Sequence, residues 1–323
     1  MNNNPLVSVC IPSYNHAKYL RHSLDSVAQQ TYQNIEVIIV DDGSIDDSLA
    51  IAQEYPKQKN FQVYTHPNNE NRGISKTANL ALTKATGKYW AGLCSDDAWY
   101  PDKIQKEVEF LENNSEIGFV YSLADIMDEN SHLTSNKIGK ELVNEDQIAE
   151  LIQTNPIPAL TVLARRNLIL EVKSHHEDLV YSDWDLWIKL ATKAKIGFIP
   201  ESLALYRIHG YNTSIGIDPL LHIRYLHEMY EALLKESEIK NTKLNEEKYH
   251  RLIQAQLKHI PVMQARAHLD NYYRAIAVRD FRTARVSLKK AFNISPSTVI
   301  TPRRLGSLLK RAVMGLANSK VTS

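Results

Sequence analysis

A Rossmann-like α/β fold, with a mostly parallel sheet flanked by helices and an α-helical C-terminal extension, is the architecture this sequence predicts. Three observations carry the prediction. Short β-branched apolar runs alternate with segments of helical periodicity over the first hundred residues. Each apolar run ends in a cluster of polar, turn-forming residues. From Pro219 onward the chain reads as helix almost to its end. At 323 residues the length suits two domains, placed at 1–218 and 219–323.

The elements follow in order. "LVSVCI" is a short buried strand, and "AKYLRHSLDSVAQQ" is a helix with Leu20, Leu24 and Val27 on one face. "IEVIIV" is a second strand and "DDSLAIAQEY" a second helix; "FQVYTH", "ISKTANLALTKA" and "KYWAGLC" continue as strand, helix and strand. Alternation at this pitch means βαβ units with right-handed crossovers and a sheet covered on both faces. After residue 115 the pattern changes. "IGFVYSLADIMD" reads as a strand and "PALTVLARRNLI" as a strand running into a helix. "SDWDLWIKLATKA" is an amphipathic helix, with Trp184, Trp187, Ile188 and Ala191 sharing a face. "IGFIPESLALYRIHGYNTS" reads as two short strands and a loop.

The loops after the first four strands are "PSYNH", "DDGS", "HPNNENRG" and "SDD". In a sheet of this type ligands bind beyond the carboxyl ends of the strands, so these loops are the candidate site. Asp96 and Asp97, side by side at a strand end, repel each other; a metal ion, a substrate hydroxyl or water would offset them. No glycine-rich G-x-G-x-x-G or Walker loop follows the first strand, so phosphates are not held that way. Carboxylates holding a divalent metal are the other common means of neutralising a diphosphate.

Composition narrows the class. Apolar content of 43% and charged content of 23% are those of an ordinary soluble domain. Cys10 and Cys94 sit in apolar runs and read as buried thiols, without disulfide or zinc spacing. "MNNNPLVSV" does not read as a signal peptide and no stretch reads as a membrane span, so a cytoplasmic location is expected. Charge is uneven. Residues 274–323 hold eleven Lys and Arg against one acid, Asp280, a net of +10; residues 1–273 hold 27 basic and 36 acidic residues, a net of −9. A basic tail on an acidic body suits a polyanionic partner.

The ordered set "VSVCIPSYNHAKYLRHSLDSVAQQTYQNIEVIIVDDGSIDDS", "NRGISKTANLALTKATGKY", "CSDDAWYPDK", "SDWDLWIKLA" and "YRIHGYNTS" resembles the family 2 glycosyltransferases of GT-A fold. The resemblance covers about residues 5–215. It implies an inverting transferase that uses a nucleotide-activated sugar, usually UDP-linked, with Mg²⁺ or Mn²⁺. By position, Pro12 and Tyr14 flank the nucleobase and Asp42 receives its imide N–H. Asn71 and Arg72 approach the base and diphosphate, and Asp96 and Asp97 are the ribose-and-metal acids, with Asp97 the direct ligand. His209 is a further metal ligand and Arg207 a contact for the diphosphate. Asp183, at the start of "SDWDLW", falls at the position of the general base, with Asp185 second to it. A helix cap is the ordinary alternative for Asp183. Trp99, Trp184 and Trp187 are candidates to stack on a sugar, although the helical spacing of Trp187 suits a core position. Three positions depart from the family pattern: Cys94 and Ser182 stand where many members have acids, and Ala78 where an Arg is common, leaving Lys76 or Arg72 for phosphate.

Residues 279–296 carry Phe281, Ala284, Ala291 and Pro296 at the spacing of half a tetratricopeptide repeat, which predicts a helical hairpin. In the tail, Leu305, Leu308, Leu309, Ala312, Val313 and Leu316 share a helical face bordered by Arg304, Lys310 and Arg311. That is the pattern of a helix lying on an anionic membrane. The expected partners are therefore a nucleotide-sugar donor, a glycan or lipid-linked oligosaccharide acceptor and an anionic membrane surface. Nucleic acid is not expected, since the tail lacks interleaved aromatics. The competing reading is a non-catalytic sugar-nucleotide-binding or scaffold protein that keeps the fold.

Overall fold

The computed structural model describes residues 4–55, 60–173, 175–210, 212, 218–237 and 243–300. Residues 301–323, with the whole of the predicted tail helix, lie outside the described residues. The chain divides into two compact units: Met1–Gly216 with Ala232–Leu252, and Ile217–Glu231 with Ile253–Ser323.

The first unit is built on one sheet. β1 (Val7–Ser13), β2 (Ile35–Asp41), β3 (Phe61–Thr65) and β4 (Tyr89–Gly92) are the predicted parallel strands, in the order β3-β2-β1-β4. Between them run α1 (Ala17–Ala28), α2 (Ser48–Glu54) and α3 (Ile74–Lys84). Every residue of β2 is buried, as expected of a strand covered on both faces. Val9, Ile11, Val37 and Ile39 pack with Leu20, Leu24 and Val27 of α1 in the main core.

Beyond β4 the sheet becomes mixed. β5 (Ala98–Trp99), α4 (Lys103–Asn113), β6 (Ile117–Met127), β7 (Leu133–Ile138), α5 (Gln147–Gln153), β8 (Leu163–Arg165), α6 (Arg166–Glu171), α7 (Ser182–Ala191) and β9 (Lys195–Arg207) follow. The sheet continues β4-β8-β6-β9-β5, with β7 beside β6. β8 is antiparallel to β4 and β6, β5 to β9 and β7 to β6, so six of the nine strands share one direction. The predicted fold class therefore holds. One element differs from expectation: 195–207 is a single long strand, not two. Its register against β6 jumps from Ser122–Ile199 to Leu123–Ser202, so Pro200 and Glu201 bulge out of the ladder. Proline cannot donate a ladder hydrogen bond, and a bulge lets the strand continue past it.

Register sets the site. Ser13 lies beside Asp41 and Cys10 beside Gly92. The loops after β1, β2 and β4 therefore open at one edge of the sheet.

α8 (Pro219–Ser237), α9 (Glu247–Ala277), α10 (Phe281–Ile294) and α11 (Pro296–Val299) complete the described chain. In the second unit α9 and α10 form the predicted hairpin. Ala284 and Ala291 are buried against Tyr272, Ala275 and Leu269, whereas Phe281 is exposed. Asp280 caps α10 by accepting the Thr283 N–H at 3.0 Å. No described helix is long and apolar enough to cross a membrane.

Candidate active site

The site is assembled from five loops. The first two are laced together. In the loop after β1, Asn15 adopts φ +51° and its Oδ1 accepts the Ile45 N–H at 2.9 Å. The N–H groups of Asn15, His16 and Ala17 donate to Ser44 Oγ, Ser48 Oγ and Asp46 Oδ2 at 2.9, 2.9 and 3.0 Å. Pro12 is half-buried and Tyr14 exposed, which leaves the phenol ring at the sheet edge.

Asp42 is buried, and both of its oxygens are in use. Oδ1 accepts the Arg72 N–H at 2.7 Å and Oδ2 the Gly73 N–H at 2.9 Å. His66 Nε2 stands 3.5 Å from Oδ1. The acid thus pins the loop that carries Asn71 and Arg72, both exposed, beside the "DDGS" turn. Gly43 makes this close approach feasible. It has φ +74°, and a Cβ there would lie 2.6 Å from the Asn69 carbonyl oxygen.

The paired acids lie at the centre. Asp97 Oδ1 accepts the Arg207 N–H at 2.8 Å. His209 Nε2 lies 3.0 Å from Oδ2 of Asp96. His209, expected as a metal contact beside these acids, thus meets Asp96 directly. His16 Nε2 stands 3.9 Å from the same Asp96 oxygen. Electrostatics separate the two acids. Burial raises Asp96, but the hydrogen bond from His209 and the charges of His16 and His209 outweigh it and hold the carboxyl below its ordinary range. Burial pushes Asp97 well above that range and the Asp96 charge adds to it, against the pull of Arg207. Two adjacent carboxylates with no cation between them do not both ionise readily.

Asp183 joins this group. It is the second residue of α7, half-buried, and the N–H groups of Trp184 and of Asp183 itself donate to its carboxylate. Burial raises its pKa, those amides partly oppose the rise, and the Asp185 charge adds to it. Cys94 ties the acids together: burial raises its thiol pKa far above the usual value, and the charges of Asp96, Asp97 and Asp183 raise it further. The ligand atoms of Cys94, Asp96 and Asp97 lie within 4.8 Å of one another, and the Asp183 charge also acts on the thiol. Asp185 faces elsewhere and pairs with Lys189 at 2.7 Å, and Lys189 reaches Glu236 at 3.2 Å. Ser182 has a positioning role: Ser75 of α3 donates to its Oγ at 2.8 Å and lies 3.0 Å from the Leu179 carbonyl. α3 thereby anchors the start of the helix that carries Asp183.

Arg207 is not where the sequence reading put it. Its guanidinium is buried and donates to the Asp96 and Asp128 carbonyls, to Ser131 Oγ and to His22 Nδ1. It also lies 4.8 Å from the Tyr19 ring. A group so enclosed braces the loops instead of meeting a diphosphate. The tryptophans are likewise structural. Trp99 and Trp187 are core residues, and Trp99 and Trp184 donate to the Leu160 and Leu151 carbonyls, each at 2.7 Å. Ala78 is buried, and Lys76 is half-buried in the first turn of α3. Sequence reasoning did not single out His16, Tyr19, His66 or Ser75. The one legible signal was the place of His16 directly after "PSYN" at the sheet edge.

The profile described as Glycosyl transferase family 2 matches residues 8–167. An uncharacterized glycosyltransferase of Haemophilus influenzae is 33% identical over 224 residues, which is 66% of this chain and 69% of that protein. The chain belongs to glycosyl transferase family 2. Two uncharacterized glycosyltransferases, of Rickettsia felis and Rickettsia conorii, are each 35% identical over 66% and 67% of this chain. This glycosyltransferase spans only 34% and 35% of those longer relatives. Among solved structures, Staphylococcus aureus TarS 1–349 in complex with UDP-GlcNAc superposes with a TM-score of 0.61 at 19% identity, over 88% of this chain and 90% of that one. Mannosyltransferase PcManGT from Pyrobaculum calidifontis, in complex with GDP-Man and Mn²⁺, gives 0.58 at 17% identity, over 91% and 88%. At such identities the likeness establishes the fold.

Proposed function

We propose that this glycosyltransferase inverts configuration, moving a sugar from a UDP-linked donor to a hydroxyl of a glycan. The observation that carries the reading is the cluster of Asp96 and Asp97 with Cys94 at the carboxyl edge of the sheet, within 4.8 Å of one another, with His209 on Asp96 and the Asp183 charge acting on the same thiol. The fold neighbours accommodate UDP-GlcNAc in one case and GDP-Man in another, so the fold leaves the base open. Asp42 suits a base with a ring N–H, such as uracil, over cytosine: a carboxylate beside the base accepts that N–H, and its oxygens have lone pairs beyond those engaged by Arg72 and Gly73. Pro12 and Tyr14 would flank that base, and Asn71 and Arg72 would approach the diphosphate.

The donor set fits a divalent cation. Two acids whose titrations are forced apart, with imidazole nitrogen beside them, suit Mn²⁺ better than Mg²⁺, which favours an all-oxygen shell. Asp97, Asp96 and His209 would hold it. Bound there, the ion would supply Lewis-acid stabilisation of charge on the departing diphosphate. Asp183 takes the proton of the acceptor hydroxyl as that oxygen attacks the anomeric carbon. The N–H groups of Trp184 and Asp183 hold its carboxylate in place, and Ser75 anchors the adjacent Ser182.

The acceptor in this reading is a lipid-linked oligosaccharide, with the basic tail holding the enzyme on the inner face of an anionic membrane. Support for it is the +10 charge of residues 274–323. Replacing Arg304, Lys310 and Arg311 together by Gln is expected to abolish low-salt co-sedimentation with anionic vesicles; unchanged sedimentation refutes the tail's role. The main reading is tested by incubating the protein with nucleotide sugars and Mn²⁺, and following the anomeric configuration of the product by NMR. A retained configuration refutes inversion, and binding without turnover on any acceptor favours the scaffold reading.

A further inference from the structure

His16 has one ring nitrogen whose position is unexplained by hydrogen bonding. Its Nδ1 lies 2.8 Å from Ser95 Oγ. Its Nε2 faces Asp96 Oδ2 at 3.9 Å, too far for a hydrogen bond. We infer that His16 is a further protein donor of the cation site, so that His16, His209 and Asp96 bring two imidazoles and a carboxylate to the ion beside Asp97. The inference rests on the reading that a divalent cation binds beside Asp96.

Three features support it. First, the candidate ligand atoms of the three residues all lie within 4.8 Å of one another. Donors about 2.0–2.3 Å from a shared ion stand about 3–4.5 Å apart, so only a few tenths of an ångström of adjustment are needed. Second, both rings are held in place by other groups. Ser95 on Nδ1 leaves Nε2 of His16 turned to Asp96, the arrangement by which outer partners orient metal-binding histidines. The His209 ring is stacked on Tyr19 at 4.8 Å, and the backbone N–H of His209 donates to Asn212 Oδ1 at 2.6 Å, which fixes the residue that carries the ring. Third, Arg207 lies 4.8 Å from the same Tyr19 ring, which gives that buried cation a purpose: it backs the platform on which His209 rests. A purely structural cluster needs one hydrogen bond from His209 to Asp96; it does not need a second imidazole nitrogen aimed at the same oxygen from beyond hydrogen-bond range.

The consequence is ion selectivity. Two imidazoles and a carboxylate favour Mn²⁺ over Mg²⁺. The test is Mn²⁺ titration of the full chain, with and without UDP, followed by electron paramagnetic resonance. Wild type is expected to show magnetic coupling from two nitrogens. His16→Ala should show one, with Mn²⁺ affinity reduced on the order of 10- to 100-fold, the scale of losing even an outer-sphere partner. His16→Gln, checked by circular dichroism and melting temperature, should behave alike and guards against misfolding of the alanine variant. Unchanged affinity and nitrogen coupling in both variants overturn the inference, as does the absence of Mn²⁺ binding by wild type in either condition. The transferase reading fails separately: it is lost if no nucleotide sugar is turned over with any metal, whatever the Mn²⁺ spectra show.

Discussion

Asp183→Asn separates chemistry from folding. The amide keeps an oxygen for the N–H groups of Trp184 and of residue 183, so the first turn of α7 should persist. The Ser75–Ser182 hydrogen bond at 2.8 Å is untouched. What is lost is proton acceptance. Removing a general base costs about 10²- to 10⁴-fold in rate, or roughly 3–5.5 kcal/mol at about 1.36 kcal/mol per decade. Stability should move the other way. Burial raises the Asp183 pKa in the folded state, so folding favours the protonated form. Its contribution is fully present below the unfolded value and is lost as pH rises through the folded one. At neutral pH the ionised side chain therefore costs stability that a neutral amide does not, and the variant should melt no lower than wild type. The same shift places the acid limb of the wild-type rate profile above the ordinary carboxylate range, with transfer failing as pH falls through it. The assay combines initial transfer rates across pH, UDP–Mn²⁺ calorimetry and melting curves. A variant with near wild-type transfer refutes the base assignment. A lower melting temperature with lost UDP binding shows instead that Asp183 is a structural cap.

Asp97→Ala should lose metal-dependent UDP affinity and His209→Ala should weaken it; calorimetry with and without Mn²⁺ decides, and equal affinity in wild type and Asp97→Ala at saturating metal removes Asp97 from the ligand set. Gly43→Ala introduces a Cβ 2.6 Å from the Asn69 oxygen at φ +74°, so it should destabilise the protein by about 1–3 kcal/mol and weaken UDP binding, both measurable by urea titration and calorimetry. Lys103 and Glu107 form a fully buried ion pair at 2.6 Å beneath Trp99. Removing either partner alone should cost about 3–5 kcal/mol of unfolding free energy, and Lys103→Met with Glu107→Leu should recover most of it; a loss in the double variant equal to the sum of the two single losses would show that the pair is not coupled.

The order of strands and helices through β4 was legible because burial on both faces demands continuous apolar runs, and "LVSVCI" and "IEVIIV" can be little else. The edge loops followed from the architecture, since parallel strands end on one side. The family residues were legible as ordered motifs, and that was enough to single out Asp96, Asp97, Asp183 and His209. Partners were not legible, because a side chain's partner depends on register and on loops far away in sequence. His209 meets Asp96 across 113 residues, and His16 meets Ser95 across 79. Local pattern marked Arg207 as a cation in a site motif, but packing enclosed its guanidinium among carbonyls, His22 and Tyr19. Pro200 suggested a break between two strands; the ladder with β6 absorbed it as a bulge because pairing on both sides holds the chain extended. Residue type and spacing therefore determined which groups are candidates for the chemistry, while the tertiary structure alone decided which face the open edge and which hold it in place, since both depend on contacts between segments that local propensity does not encode.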